Sequence, residues 1–460
     1  MSRSRTVPPT GPRSLRAARG GVARRTPRRA ALAAVATLLA STALAACGSS
    51  SSPGATTLDE DADVTLTWWT GQADEAQTIL EGLADEFEAE HPNVTIEVSS
   101  GAPSTEDLLQ KLSASFAGGT YPDISYAFGS WASELAESDR TLDITERVAE
   151  PDVGWDEFSG AARQTAQPTG EATIGFPAVV DNLSLIYNTT VFDAAGVDYP
   201  TEDWTWDDFR TAAKELTDPA TSTYGYAYSV SGSEETVWQF WPHLWQRGGQ
   251  ILDEDGTTAT FDSEAGVEAL TFLQEMAIDD GSVYLDQTDT KFTQLFASDQ
   301  IGMVTSGPWT LYDLGVAGTS YGVVPLPAAE GEHTTVSGPD LWVLFDHDDA
   351  NREHWAYEFT KWLTSAETDV RWNVAYGNLP LRESEIDTPE FQAQVEAMPG
   401  LEVMAANGVN ATEPRPTVPG YVKLSEAVGT AISEVLQGQG EPADALAAAA
   451  EEATAALADE

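Results

Sequence analysis

The sequence predicts an α/β protein built as two lobes. Three observations carry this. The chain has 460 residues, too many for one ordinary core and suited to two lobes plus extra segments. Strand-like and helix-like hydrophobic periods alternate from residue 61 onward. No internal repeat of fixed period appears, so a solenoid or propeller is not predicted.

Val64-Thr65-Leu66-Thr67-Trp68-Trp69 is β-branched and aromatic and reads as a strand. Ile79, Leu80, Leu83 and Phe87 give helical spacing from about Asp74 to His91, and Pro92 stops it. Val94, Ile96 and Val98 alternate in a second strand. Leu108, Leu109, Leu112 and Phe116 mark a second helix, and Asp123-Ile124-Ser125-Tyr126 opens a third strand. This βαβαβ order predicts a mostly parallel sheet wrapped by helices, with ligands at the carboxyl ends of its strands. Helical patterns recur at 206–216, 234–247, 263–278, 291–298, 349–365 and 421–437. Strand-like stretches lie at 174–188, 301–305, 321–325 and 341–345. The last segment, 441–460, is rich in Ala and Glu and helical by propensity, with an end expected to fray.

Charge divides the chain sharply. Residues 1–46 hold nine arginines and no Asp or Glu; all 74 acids lie beyond them, against 14 Lys and Arg. Arg24, Arg25, Arg28 and Arg29 form a positive region, and Ala30 to Ala40 an apolar stretch too short for a permanent span. Residues 1–46 thus have the layout of a removable export signal. Leu44-Ala45-Ala46-Cys47 follows, and small residues before a Cys resemble the lipobox of bacterial lipoproteins. The resemblance implies that Cys47 becomes the lipidated N-terminus, on the outer face of the cytoplasmic membrane. Cys47 is the sole cysteine, so no internal disulfide is expected. Residues 47–60, which include Ser49 to Gly54, then read as a flexible tether. The arginine pairs leave general and twin-arginine export both open. Beyond the signal the net charge is about −60, which argues against nucleic acid and against docking on anionic lipid headgroups.

Motifs of chemistry are scarce. There is no Walker loop, no His-Glu-x-x-His and no Gly-x-Ser-x-Gly. His91, His243, His333, His347 and His354 show no metal-ligand spacing, and neither a metal nor another cofactor is expected. Carboxylate pairs are too many to exclude a glycosidase by counting, so a secreted carbohydrate hydrolase stays open as an alternative. The 14 tryptophans are more informative. Several stand where an element meets a Gly- or Pro-containing turn: Trp68-Trp69-Thr70-Gly71, Gly307-Pro308-Trp309, and Trp238 to Trp245 ahead of Gly248-Gly249. Such rings fit the apolar C–H faces of sugars, while carboxylates, amides and guanidinium forks take the hydroxyls.

Ile174-Gly-Phe-Pro-Ala-Val-Val-Asp-Asn-Leu-Ser-Leu-Ile-Tyr-Asn188 resembles the crossover segment of extracellular solute-binding proteins of the sugar-binding type. Trp238-x-x-Trp241-Pro242-x-x-x-x-x-Gly248-Gly249 and Ile301-Gly-Met-Val-Thr-Ser-Gly-Pro-Trp309 agree with that family in order and spacing. Tyr321-Gly322-Val323 with Pro325 and Pro327, then Leu379-Pro380, extend the match, which runs from about 64 to 440. The resemblance implies a periplasmic-binding-protein-like fold: two α/β lobes, crossover strands as hinge, ligand between the lobes. The expected N-terminal lobe is 61–180 with 326–378, and the C-terminal lobe is 181–325 with 379–460. Hinges are expected near Val180 to Leu183 and Pro325 to Asp340.

The same resemblance implies no enzyme but a monomeric binding component that delivers a carbohydrate to the transmembrane permease of an ABC importer. Asp181 matches a carboxylate that accepts sugar hydroxyls, Trp238 an aromatic at the cleft, and Trp309 one that stacks on a sugar ring. Trp69 stands at a strand-to-turn junction of the kind that faces clefts. In Gly338-Pro339-Asp340-Leu341-Trp342, Gly338 is expected to let backbone approach a ligand, flanked by Asp340 and Trp342. Arg382, after Leu379-Pro380, is the candidate cation. Maltose-binding members carry an Asp–Arg pair where this chain reads Phe128-Gly129-Ser130-Trp131, and a late aromatic pair near Ser425-Glu426, so maltose itself is not implied. A polyol, a glycerophosphodiester or a sugar acid is the other ligand reading; scarce cations favour a neutral one.

Overall fold

The computed structural model describes residues 54–459 apart from 103, 104, 171, 330 and 412. The expected export signal, Cys47 and the start of the tether lie outside the described residues. Among the described residues no helix is long and apolar enough to cross a membrane.

Twelve strands are labelled in chain order: β1 Val64–Trp69, β2 Val94–Ser99, β3 Ile124–Ala127, β4 Gly175–Val179, β5 Ser184–Asn188, β6 Tyr224–Ser229, β7 Val283–Asp286, β8 Ile301–Ser306, β9 Tyr321–Val324, β10 Val336–Ser337, β11 Asp340–Leu344 and β12 Glu413–Pro414. Ten of them form two five-stranded sheets, and β10 pairs with β12. The first has the order β2-β1-β3-β11-β4 and the second β7-β6-β8-β5-β9. In the first, β1 runs parallel to β2 and β3, as the βαβαβ order predicts, while β11 is antiparallel to both β3 and β4. In the second, β6 is parallel to β7 and β8, and β5 is antiparallel to β8 and β9. Pro177 is tolerated because β4 is an edge strand, whose outer side needs no ladder donor.

The first core explains why β1 forms where it does. Val64, Leu66 and Trp68 point inward at period two, and Trp68 meets Trp342 and Phe359 edge-on at centroid distances of 5.2 and 5.1 Å. The helices Asp74–Glu90 and Ala350–Leu363 add Leu80, Leu83, Phe87 and Phe359 to the same cluster. Each such fully buried side chain contributes about 1.5–3 kcal/mol. The second sheet has its own core, which the helices Tyr421–Leu436 and Pro442–Asp459 close with Leu424, Val428, Ile432, Leu446 and Ala453.

Several expectations need correction. The stretch 174–188 is two strands in different sheets, because 180–183 carries the chain across. The stretch 234–247 is two short helices, Glu234–Trp238 and Trp241–Trp245: Pro242 has no N–H to continue the ladder and starts the second helix instead. The helix expected over 263–278 is α-helical only over Glu264–Gln274 and closes in a π-helical turn, Glu275–Asp279. The C-terminal helix runs over Pro442–Asp459, with Leu446, Ala449, Ala450 and Ala453 packed at helical spacing. β6 and β7 were not predicted; Tyr224-Gly225-Tyr226-Ala227-Tyr228-Ser229 is buried on both faces and shows no alternation. Residues 54–60 are not a free tether. Ala350 N donates to Ala55 O at 2.8 Å, Asp59 N to Asn351 Oδ1 at 2.7 Å, and Asn93 Nδ2 to Glu60 O at 2.9 Å.

Candidate ligand-binding site

A cavity of about 390 Å³ is lined from both sheets. The first sheet supplies Gln72 just after β1, Tyr126 and Phe128 from the end of β3, Val179 at the end of β4 and Asp340 at the start of β11. Gln72, Tyr126, Phe128 and Val179 thus lie at carboxyl ends of strands, where an open α/β sheet leaves a crevice, and the antiparallel β11 brings Asp340 to the same edge from its amino end. From the second sheet come Glu234, Glu235 and Trp238 on one short helix, and Trp309 at the start of the helix Trp309–Ala317. Asp181 from the crossing segment and Arg415 beyond β12 complete the polar centre.

Most of that centre is internally paired. Tyr126 donates its hydroxyl to Asp340 Oδ2 at 2.6 Å. Asp340 Oδ1 accepts from Gly129 N at 2.9 Å and from Arg415 Nη2 at 3.1 Å. Arg415 Nη1 reaches Glu234 Oε1 at 3.3 Å, and Glu234 also accepts from Tyr421 OH at 3.2 Å and from Ser425 Oγ. The guanidinium lies 4.5 Å from the Trp238 ring centroid. Burial would lower the Arg415 pKa, but Asp340 and Glu234 raise it above its ordinary value.

Two polar atoms are left over. Asp181 Oδ1 and Trp238 Nε1 are buried and have no hydrogen-bond partner among the described residues. Burial, and then the neighbouring Asp340, push the Asp181 carboxyl well above the usual carboxylate range, with Arg415 pulling the other way. The Asp340 carboxyl is also raised by burial, and Arg415 and Tyr126 restrain it. An unsatisfied buried acceptor is costly, and its presence marks a place where a donor from outside would be welcome.

Two glycines set this geometry. A Cβ on Gly338 would collide with Asp181 Oδ1 and with the ring of Trp238, so only Gly lets these two side chains meet over the backbone. A Cβ on Gly307 would collide with the ring of Trp309, which folds back over the turn that leaves β8. Gly338 N also donates to Asp181 O at 3.2 Å, which ties the two crossing segments together.

The structure therefore brings together Asp181, Trp238, Trp309, Gly338 and Asp340. It does not bring Trp69 or Trp342 to that cavity, and Arg382 shares with Asp181 only a neighbouring cavity of about 410 Å³. Trp342 is fully buried between Trp68, Tyr126 and Trp372: it lies two positions deeper in β11 than Asp340, which stands at the strand's first position, where the pairing with β4 shifts register, and reaches the cavity. Trp69 points away from Trp68 and is covered by Lys111, whose ammonium lies 4.0 Å from its ring centroid; Gln72 is the cavity residue of that turn. Arg382 donates to the carbonyls of Thr364, Val153 and Gly154 and stacks 4.1 Å from the Phe158 ring centroid. It fastens chain to chain and lines other cavities, one of about 690 Å³ on an outer face where Lys361 is paired with Asp152 and Glu358. Gly338 leaves room over the backbone for Asp181 and Trp238.

Sequence reasoning missed Arg415, Tyr126 and Glu234. Arg415 had one usable signal. It lies between Pro414 and Pro416 in a chain with few cations, and the pairing of β12 with β10 carries it next to Gly338.

Residues 82–399 match the family model of the bacterial extracellular solute-binding proteins. This chain belongs to that family. A binding protein of Brucella abortus is 25% identical over 82% of this chain and 89% of that one. Among solved structures, an ABC transporter solute-binding protein from Thermotoga lettingae bound with α-D-tagatose superposes with a TM-score of 0.76 at 25% identity, covering 85% of this chain and 99% of that one. The cyclic α-maltosyl-1,6-maltose binding protein of Arthrobacter globiformis gives a TM-score of 0.73 at 26% identity, over 86% of this chain and all of that one (100%). The two-lobed α/β architecture of the family is the one seen in this solute-binding protein, and membership places its work outside the cytoplasm.

Proposed function

We propose that this solute-binding protein captures a mono- or oligosaccharide between its two sheets and delivers it to the permease of an ABC importer. One observation carries the reading. The cavity walled by Trp238, Trp309 and Phe128 holds a buried acceptor, Asp181 Oδ1, and a buried donor, Trp238 Nε1, neither with a partner among the described residues. Aromatic walls take the C–H faces of a sugar, and hydroxyls both donate and accept. Similar proteins whose names specify sugars support it. The protein is proposed to act without turnover, as a monomer held to the outer face of the cytoplasmic membrane through a lipidated Cys47; an unchanged lipid label on Cys47→Ala would rule that anchor out.

The test is a thermal-shift and calorimetry screen of the purified protein against tagatose, ribitol, maltose and maltotriose, with product analysis of the same mixtures. A ligand at about 100 times Kd adds roughly 2.7 kcal/mol of stability. Binding with intact sugar recovered is the expected result. Released products would move the protein to the hydrolases, and silence across the panel would count against sugar binding.

A further inference from the structure

Of the residues that line the cavity, Arg415 alone is cationic, against Asp181, Glu234, Glu235 and Asp340. A buried arginine in a ligand cavity invites the reading that it holds a phosphate or a carboxylate. Here its charge is already matched by two carboxylates of the protein. Nη2 is given to Asp340 and Nη1 to Glu234, and its ring-facing side lies against Trp238. Glu235 is engaged as well, accepting from Gln239 Nε2 at 2.7 Å. What the protein leaves unsatisfied is the carboxylate oxygen of Asp181 and the neutral donor of Trp238. An oxyanion meets that combination badly. It brings acceptors only and approaches the Asp181 carboxyl group, buried beside that of Asp340, in a lining that holds four carboxyl groups against one guanidinium. A hydroxyl suits it, since one O–H can donate to Asp181 while its oxygen accepts from a donor such as the Trp238 indole.

We propose that the cavity takes an uncharged polyhydroxylated ligand and rejects anionic sugars, both uronic acids and sugar phosphates, with Asp181 setting the discrimination. This rests on the sugar-binding reading and narrows it. Selectivity of this kind comes from a repulsive element as much as from an attractive one.

The experiment uses the strongest neutral binder from the panel above, glucose and galactose added, and its uronic-acid and phosphate counterparts. Calorimetry on the purified protein should give anions at least roughly tenfold weaker than the neutral parent. Asp181→Asn should lower affinity for the neutral sugar and narrow the neutral-to-anion ratio by severalfold. Glu235→Gln, a second variant that keeps side-chain shape, should narrow it in the same direction by less. An anionic counterpart that binds as tightly as its parent overturns the proposal and leaves sugar binding standing. An Asp181→Asn variant that loses the same factor for both ligands overturns the role of Asp181. If no neutral or anionic sugar binds, the sugar reading itself fails, and this inference fails with it.

Discussion

At the scale of single residues, Asp181 and Trp342 show how opposite costs are distributed. A buried carboxyl whose pKa is raised on folding contributes stability below the ordinary carboxylate pKa, and that contribution is lost as pH rises through the raised value. Asp181 is such a group. Asp181→Asn should therefore stabilise the ligand-free protein at pH 7.5, by about 1 kcal/mol or more, and by less at pH 4. Denaturant melts at the two pH values measure this, and a lower midpoint at pH 7.5 would refute it. The aromatic anchors behave the other way. Trp238→Ala and Trp309→Ala should each cost about 2 kcal/mol of binding, roughly 30-fold in Kd. Trp342→Ala should instead remove about 3–5 kcal/mol of folding stability, because its ring fills the first core. Calorimetry beside thermal melts separates these cases. If both cavity tryptophans can be removed with less than a twofold change in Kd, about 0.4 kcal/mol, the assignment of those rings is wrong.

At the scale of elements, the site is made by short, interrupted pieces. Pro242 cuts a helix after Trp238, and Gly307 turns β8 into a helix whose first residue is Trp309. The crossing segments are fixed to each other by an amide cluster. Asn407 Nδ2 donates to Asn182 Oδ1 and Leu183 O at 3.1 Å and to Ser184 Oγ at 3.0 Å, while Thr335 Oγ1 donates to Leu183 O at 2.8 Å. Gly338 lies in the second crossing, against Asp181 and Trp238. Gly338→Ala should leave the sheets intact, since it stands just outside β11, yet push one of those side chains off its place. The expected loss is roughly tenfold in affinity with an unchanged far-UV circular dichroism spectrum. Parent-like affinity in a folded Gly338→Ala protein would mean that the close approach is not needed for binding.

At the scale of the whole molecule, two sheets with separate cores share a small number of crossings. Residues 180–183 and 325–339 join the sheets, and a third passage follows Ala350–Leu363, where Trp372 packs on the first core while Val370 and Val374 join a further cluster with Ile186 and Val304 of the second sheet. The boundary expected at 378/379 thus falls in a segment whose Leu379 packs with the second sheet and whose Leu381 packs with the first core. Few crossings let a handful of dihedrals carry a hinge motion, and ligand contacts from both sheets supply the free energy to bias it. Saturating sugar should reduce the radius of gyration in small-angle scattering. A profile identical with and without bound ligand would exclude closure as the response to binding.

The sequence by itself determined the α/β class, the parallel start of the first sheet and the family, because hydrophobic period and turn chemistry are local and survive without tertiary context. It also marked Asp181, Trp238, Trp309, Gly338 and Asp340, which the fold gathers into one cavity. Only the tertiary structure decided that Trp342 faces a core, that Arg382 secures backbone carbonyls, and that Arg415 is the cation beside Asp340. The physical reason is the same in each case. A tryptophan or an arginine has one chemistry but several uses, and which use applies depends on how deep in an element it stands and on what a distant segment brings to meet it.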